Sequence, residues 1–153
     1  MSIKSNIEYV NELKNAAAEK SGRTGEDVLL VAVTKLHSPE EINEAIDAGV
    51  TDIGENKVQE ILDKYDKVKP VRWHLIGHLQ TNKVKYIIDK VCLIHSVDSL
   101  HLAKEIDKRA AQHDLTMDIL VQVNSAEEES KFGVTAEVTG QLMEGIAQQC
   151  PNV

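Results

Sequence analysis

The chain has 153 residues, enough for one domain with a sizeable core, and 42% of them are apolar. Its 17 basic and 25 acidic side chains give a net charge of −8, which argues against non-specific binding to nucleic acid or to an anionic membrane surface. No run approaches the ~20 apolar residues of a membrane span, the start carries no signal-peptide core, and Cys92 and Cys150 share no disulfide or zinc spacing, so a cytoplasmic protein with reduced thiols is expected.

Ile3 to Ser21 reads as an amphipathic helix, with Ile7, Val10, Leu13, Ala17 and Ala18 near the 3.6-residue period and Ser21-Gly22 as its stop. Leu29 to Thr34 is an apolar, β-branched run read as a first strand, ending at Lys35. In SPEEINEAIDAG, Ser38 is placed as N-cap, Pro39 at the first helical position and Gly49 just past the end. Val50 to Gly54 follows as a second strand, then a helix over residues 57–68. Arg72 to Gly77 reads as a third strand with a helix over 81–89, and Val91 to Val97 as a fourth. Asp98, followed by Ser99, reads as an N-cap for a helix reaching His113; Asp118 to Val123 reads as a fifth strand, and residues 135–149 as the last helix.

One leading helix and five alternating strand–helix units imply a parallel sheet built from βαβ crossovers. The near-continuous apolar runs of the first and fifth strands are expected to be covered on both faces. An open doubly wound sheet and part of a (β/α)8 barrel both satisfy this pattern, and the lack of a glycine-rich first turn lowers the former. Residues 1–153 are expected to form a single, incomplete barrel domain, because eight units need roughly 200 or more residues.

In parallel α/β folds the working face lies at the carboxyl ends of the strands. Here those ends carry Lys35, Glu55-Asn56, Gly77-His78, Ser96 to Asp98, and Asn124, with Lys131 in the loop after the fifth. Alternation puts Lys35 on one face with Val33, Val31 and Leu29, and turns Thr34 and Ala32 to the helices. A lysine above an apolar interior is expected to lose hydration, which enlarges its nucleophilic neutral fraction and suits Schiff-base formation. His74 and His78 have the i, i+4 spacing of a helical zinc motif, but they lie in a strand that Gly77 interrupts. No metal site is therefore expected; both read as partly buried histidines bonded to nearby carbonyls.

VAVTK at 31–35, IGENKVQE at 53–60, WHLIGHLQTNK at 73–83, IHSVDS at 94–99 and VQVN…EESKFG at 121–133 stand in this order along the chain. Together they closely resemble the YggS/PROSC family of pyridoxal phosphate homeostasis proteins. The resemblance implies a TIM-barrel-like (β/α)8 fold related to the alanine racemase N-terminal domain, of which about five β/α units are present here. It implies pyridoxal 5′-phosphate (PLP) held covalently as a Schiff base on Lys35, with Asn56 and His78 around the cofactor and Lys131 as a further contact. It also implies a monomeric carrier that buffers or delivers PLP, with PLP-dependent enzymes as partners and no established catalysis. The family's phosphate-binding loops lie beyond this chain's sequence, so weakened PLP retention and association through open strand edges are expected. Lys57 departs from the aromatic residue more usual after GEN. A racemase-like enzyme is the alternative, although Tyr9, Tyr65 and Tyr86 all read as helical and away from the strand ends. An inert partial barrel is the third reading.

Overall fold

A computed structural model describes residues 2–126 and 128–153. The first helix, α1 (Ile3–Lys20), starts from a Ser2 cap whose side chain accepts the Ser5 amide hydrogen. Then β1 (Ala32–Val33), α2 (Pro39–Asp47), β2 (Asp52–Glu55), α3 (Val58–Lys64) and β3 (Arg72–Leu75) follow. A 3₁₀ helix over Thr81–Tyr86 leads to β4 (Leu93–Val97), α4 (Leu100–Gln112), β5 (Asp118–Val121) and α5 (Ala136–Gln149).

The five strands form one parallel sheet in the order β1-β2-β3-β4-β5. That order decides between the two architectures left open by the sequence. A doubly wound sheet reverses its strand order at a switch point and places helices on both faces. Here the order never reverses, so crossovers of one hand put every helix on the same face, as in a barrel wall. The sheet is not closed, and β1 and β5 are its edges.

Local chemistry sets most boundaries. Ser38 and Glu41 form a reciprocal capping box at the start of α2, with Pro39 in its first turn. At α4 the cap is Ser99, whose hydroxyl accepts the Leu102 amide hydrogen, one residue beyond the expected Asp98. The helix expected over 81–89 is a 3₁₀ helix instead. The Lys83 amide bonds Gln80 O and the capping Ile87 amide bonds Val84 O, each three residues back, and beyond the cap Ile88 and Val91 bond four residues back. Val84, Ile87 and Ile88 are all fully buried, so this segment packs into the core although its first turns are wound as 3₁₀.

The core lies between the sheet and its helices, around Ile42, Ile53, Ile61, Leu75, Ile94 and Ile106. Among the described residues, the other face of the sheet carries no second layer of helices or strands. Leu29 is 53% exposed, Val33 51% and Leu120 49%, so the first and fifth strands are not covered on both faces as expected. Their apolar runs serve the concave face that a closed barrel fills with side chains. Among the described residues, no helix is long and apolar enough to cross a membrane.

At the top of the wall, a methyl group at Gly77 would lie 2.3 Å from the Asn56 carbonyl oxygen and 2.8 Å from its Cα. Only hydrogen at position 77 lets the ends of β2 and β3 approach this closely. Gly77→Ala is therefore expected to destabilise the chain by about 1–3 kcal/mol. Gly140→Ala, in open space on α5, should stabilise it by roughly 0.5–1 kcal/mol. Urea unfolding of the two variants checks the opposite signs.

Candidate functional site

The sheet register pairs Val33 with Gly54 and Glu55 with Leu75, which brings the ends of β1, β2 and β3 to one edge. Lys35 follows β1 there. Its neighbour Thr34 turns into the helix layer, as alternation predicts, and its hydroxyl donates to Glu55 Oε1 at 2.7 Å. Lys64, projecting from the last turn of α3, donates to Thr34 O at 3.0 Å, Glu55 Oε1 at 2.7 Å and Glu60 Oε2 at 2.8 Å. Glu60 Oε2 also accepts the Leu36 amide hydrogen at 2.9 Å. Leu36 sits at φ 66°, an uncommon conformation for a residue with a branched side chain. Both peptide groups flanking Lys35 are thus tied to α3, and the Lys35 side chain stands in solvent.

This corrects the expectation that Lys35 is the dehydrated lysine, because no apolar layer stands over it. The dehydrated lysine is Lys64. Burial pulls its ammonium down, but the hydrogen bonds it donates to Glu55 and Glu60 outweigh burial and hold it above its ordinary 10.5. The bond from Lys64 and then that from the Leu36 amide hold the Glu60 carboxyl below its ordinary 4.5.

Asn56 and His78 come together. With Gln80 and Lys83 they line a small cleft beside the ends of β2 and β3. Lys35 and Lys131 do not line that cleft. His78 is exposed rather than partly buried, and its ring stacks on Phe132 with centroids 3.7 Å apart and planes 12° from parallel. Lys131, adjacent to Phe132, is exposed and pairs with Glu128 at 3.3 Å. The Asn124 side chain braces this loop, donating to Glu128 O at 2.9 Å and accepting from Glu128 N at 3.2 Å. The stack therefore carries the loop after β5 to the end of β3. Sequence reasoning passed over Phe132, although it is the chain's lone phenylalanine and lies in the ESKFG segment.

The two histidines of WHLIGH do not share a site. His74 is buried and bonds side chains, not carbonyls: its Nε2 lies 2.8 Å from Asp52 Oδ1 and its Nδ1 2.9 Å from His95 Nε2. Burial, then the neighbouring His74, pushes the His95 imidazole down. Burial would raise the Asp52 carboxyl, but bonds from His74 and Thr51 and the Arg72 charge together hold it below its ordinary 3.8. The donor atoms of Asp52, His74 and Cys92 lie within 4.8 Å of one another. The Arg72 guanidinium, with Nε 3.3 Å from Asp52, is the cation already balancing that carboxylate.

Comparison with known proteins agrees with this architecture. Residues 9–153 match the family model "Alanine racemase, N-terminal domain". A pyridoxal phosphate homeostasis protein of Aquifex aeolicus is 43% identical over 149 residues, covering 96% of this chain and 65% of that protein. PipY of Synechococcus elongatus, solved with PLP bound, superposes with a TM-score of 0.73 at 29% identity, over 92% of this chain and 66% of that one. An unknown protein from Bifidobacterium adolescentis superposes at 0.88 with 34% identity, over 96% and 64%. The chain belongs to the alanine racemase N-terminal domain family and, within it, to the YggS/PROSC family of pyridoxal phosphate homeostasis proteins. It spans about two thirds of the length of these relatives.

The site's charges give a pH dependence with a definite sign. Glu60 and Asp52 have lowered pKa values, so their stabilisation is present above 4.5 and 3.8 and is lost as pH falls through the still lower folded values. Lys64, raised, contributes below 10.5 and loses that contribution as pH rises through its folded value. The urea midpoint is expected to fall on acidification in two stages, first below about pH 6.5, where the fold resists protonation of His95, and further below about pH 4.5, as Glu60 and then Asp52 take up protons. A midpoint that rises on acidification would contradict these assignments.

Proposed function

We propose that this chain takes part in PLP homeostasis by holding the cofactor covalently, as a Schiff base, on Lys35. The observation that carries the reading is the placement of Lys35: an exposed primary amine at a carboxyl-terminal strand end, on backbone fixed from both sides. PLP supplies an aldehyde; condensation with an amine forms one C=N bond and releases water, with no oxidant or reductant required. The nearby donors fit the rest of such a ligand. Asn56 and Gln80 offer amides, His78 an imidazole and Lys83 a cation within one cleft, a set suited to an anionic, hydrogen-bonding ring. Lys131 contributes through its loop, which the His78–Phe132 stack brings to this edge.

The PLP-bound PipY and the homeostasis protein of Aquifex aeolicus support a binding role over a catalytic one. A racemase needs a proton carrier on each face of its substrate. Tyr9 is exposed on α1, Tyr86 is exposed at the end of the 3₁₀ helix, and Tyr65 packs on Trp73 at 5.7 Å. All three lie away from the strand ends, so the reading is of a carrier that passes PLP to PLP-dependent enzymes.

Borohydride reduction after incubation with PLP, followed by peptide mass spectrometry, tests the assignment. Label concentrated on the Lys35 peptide, and lost in Lys35→Ala, is expected. Label scattered over surface lysines and unchanged in Lys35→Ala would remove Lys35 from the role.

A further inference from the structure

We propose that Lys64, Glu60 and Glu55 form a clamp that positions Lys35 for reaction with an aldehyde. The inference deepens the PLP reading and rests on it. Lys64 is itself an amine near the strand ends, yet it is unfit for the nucleophilic role. All three of its N–H donors are engaged, by Thr34 O, Glu55 Oε1 and Glu60 Oε2, and its side chain is 10% exposed. Ion pairing also keeps it protonated. What those bonds hold is the backbone on either side of Lys35.

The Thr34 carbonyl belongs to the peptide group before Lys35, and the Leu36 amide to the one after it. One is bonded by Lys64 and the other by Glu60, and Lys64 and Glu60 are bonded to each other. Glu55 completes the ring by accepting from both Lys64 and the Thr34 hydroxyl through the same oxygen. The positive φ of Leu36, an 89% exposed side chain with no packing to hold it, needs such an external restraint. Bridging two peptide groups in this way fixes the direction in which the Lys35 side chain leaves the strand. A side chain that leaves in one direction reaches its electrophile without a conformational search.

Lys64→Met would leave Glu55 buried without a counter-charge, so the test uses Glu60. Its role is positioning, and the readouts are local. Glu60→Ala removes the acceptor of the Leu36 amide, whereas Glu60→Gln keeps one. In the intact chain, hydrogen exchange at Leu36 is expected to be slow, and PLP trapped with borohydride should favour Lys35 over the other lysines. In Glu60→Ala, exchange at Leu36 should accelerate by at least about tenfold with Ile53 and Leu75 unchanged, and the share of label on Lys35 should fall by about tenfold. Glu60→Gln should restore both.

Faster Leu36 exchange in Glu60→Ala with undiminished selectivity for Lys35 would overturn the clamp and leave the PLP reading intact. Unselective labelling of the unsubstituted chain would overturn both. Loss of selectivity in Glu60→Gln equal to that in Glu60→Ala would also overturn the clamp, since the acceptor would then be irrelevant.

Discussion

Removing an ammonium from water costs on the order of several kcal/mol even after relaxation, unless oxygens replace its hydration shell. Around Lys64 they do: one backbone carbonyl and two carboxylates take its three protons. The cluster also explains why a buried glutamate is tolerated at the end of β2. Glu55 is fully buried, and Lys64 is its counter-charge. Through these bonds α3 is fastened to β1 and β2, and the Thr34–Leu36 turn takes its shape. Loss of the ammonium would leave an unbalanced carboxylate in the core, a more damaging state than loss of the whole group.

Strand order gives this cluster its setting. Sequential parallel pairing puts all helices on one face, so residues on a strand have sharply different fates. Thr34 and Glu55 point into the helix layer and are buried, whereas Val33, beside Thr34, is half exposed on the concave face. On that same face Asp52, His74 and His95 form a second polar chain, linked by bonds of 2.8 and 2.9 Å. The two networks occupy opposite sides of the wall. One fixes the backbone at the working edge, and the other ties β2, β3 and β4 together across the sheet.

Much of the fold was legible because local signals agreed with tertiary demands. Ser38, Pro39 and Gly49 bracket α2 as capping chemistry requires, and alternation correctly turned Thr34 inward. Four failures share a cause: each depended on a neighbour distant in sequence. Coverage of β1 and β5 depends on whether a layer stands over the concave face, which an apolar run cannot report. The partners of His74 are a carboxylate on β2 and an imidazole on β4, neither inferable from WHLIGH. The dehydrated lysine was placed at the strand end, but the structure buries Lys64 instead. A local hint existed in the Glu60–Lys64 spacing of four residues, yet such pairs are common on exposed helices. The stack of His78 on Phe132 joins the end of β3 to the loop after β5, and no periodicity encodes it.

The most direct measurement is a crystal structure of the chain after PLP addition and borohydride reduction. Density continuous from Lys35 Nζ to the cofactor ring is expected, with Asn56 or His78 against it and Lys64 still bonded to the Thr34 carbonyl. Density continuous with Lys83 or Lys131, with Lys35 free in solvent, would contradict that expectation.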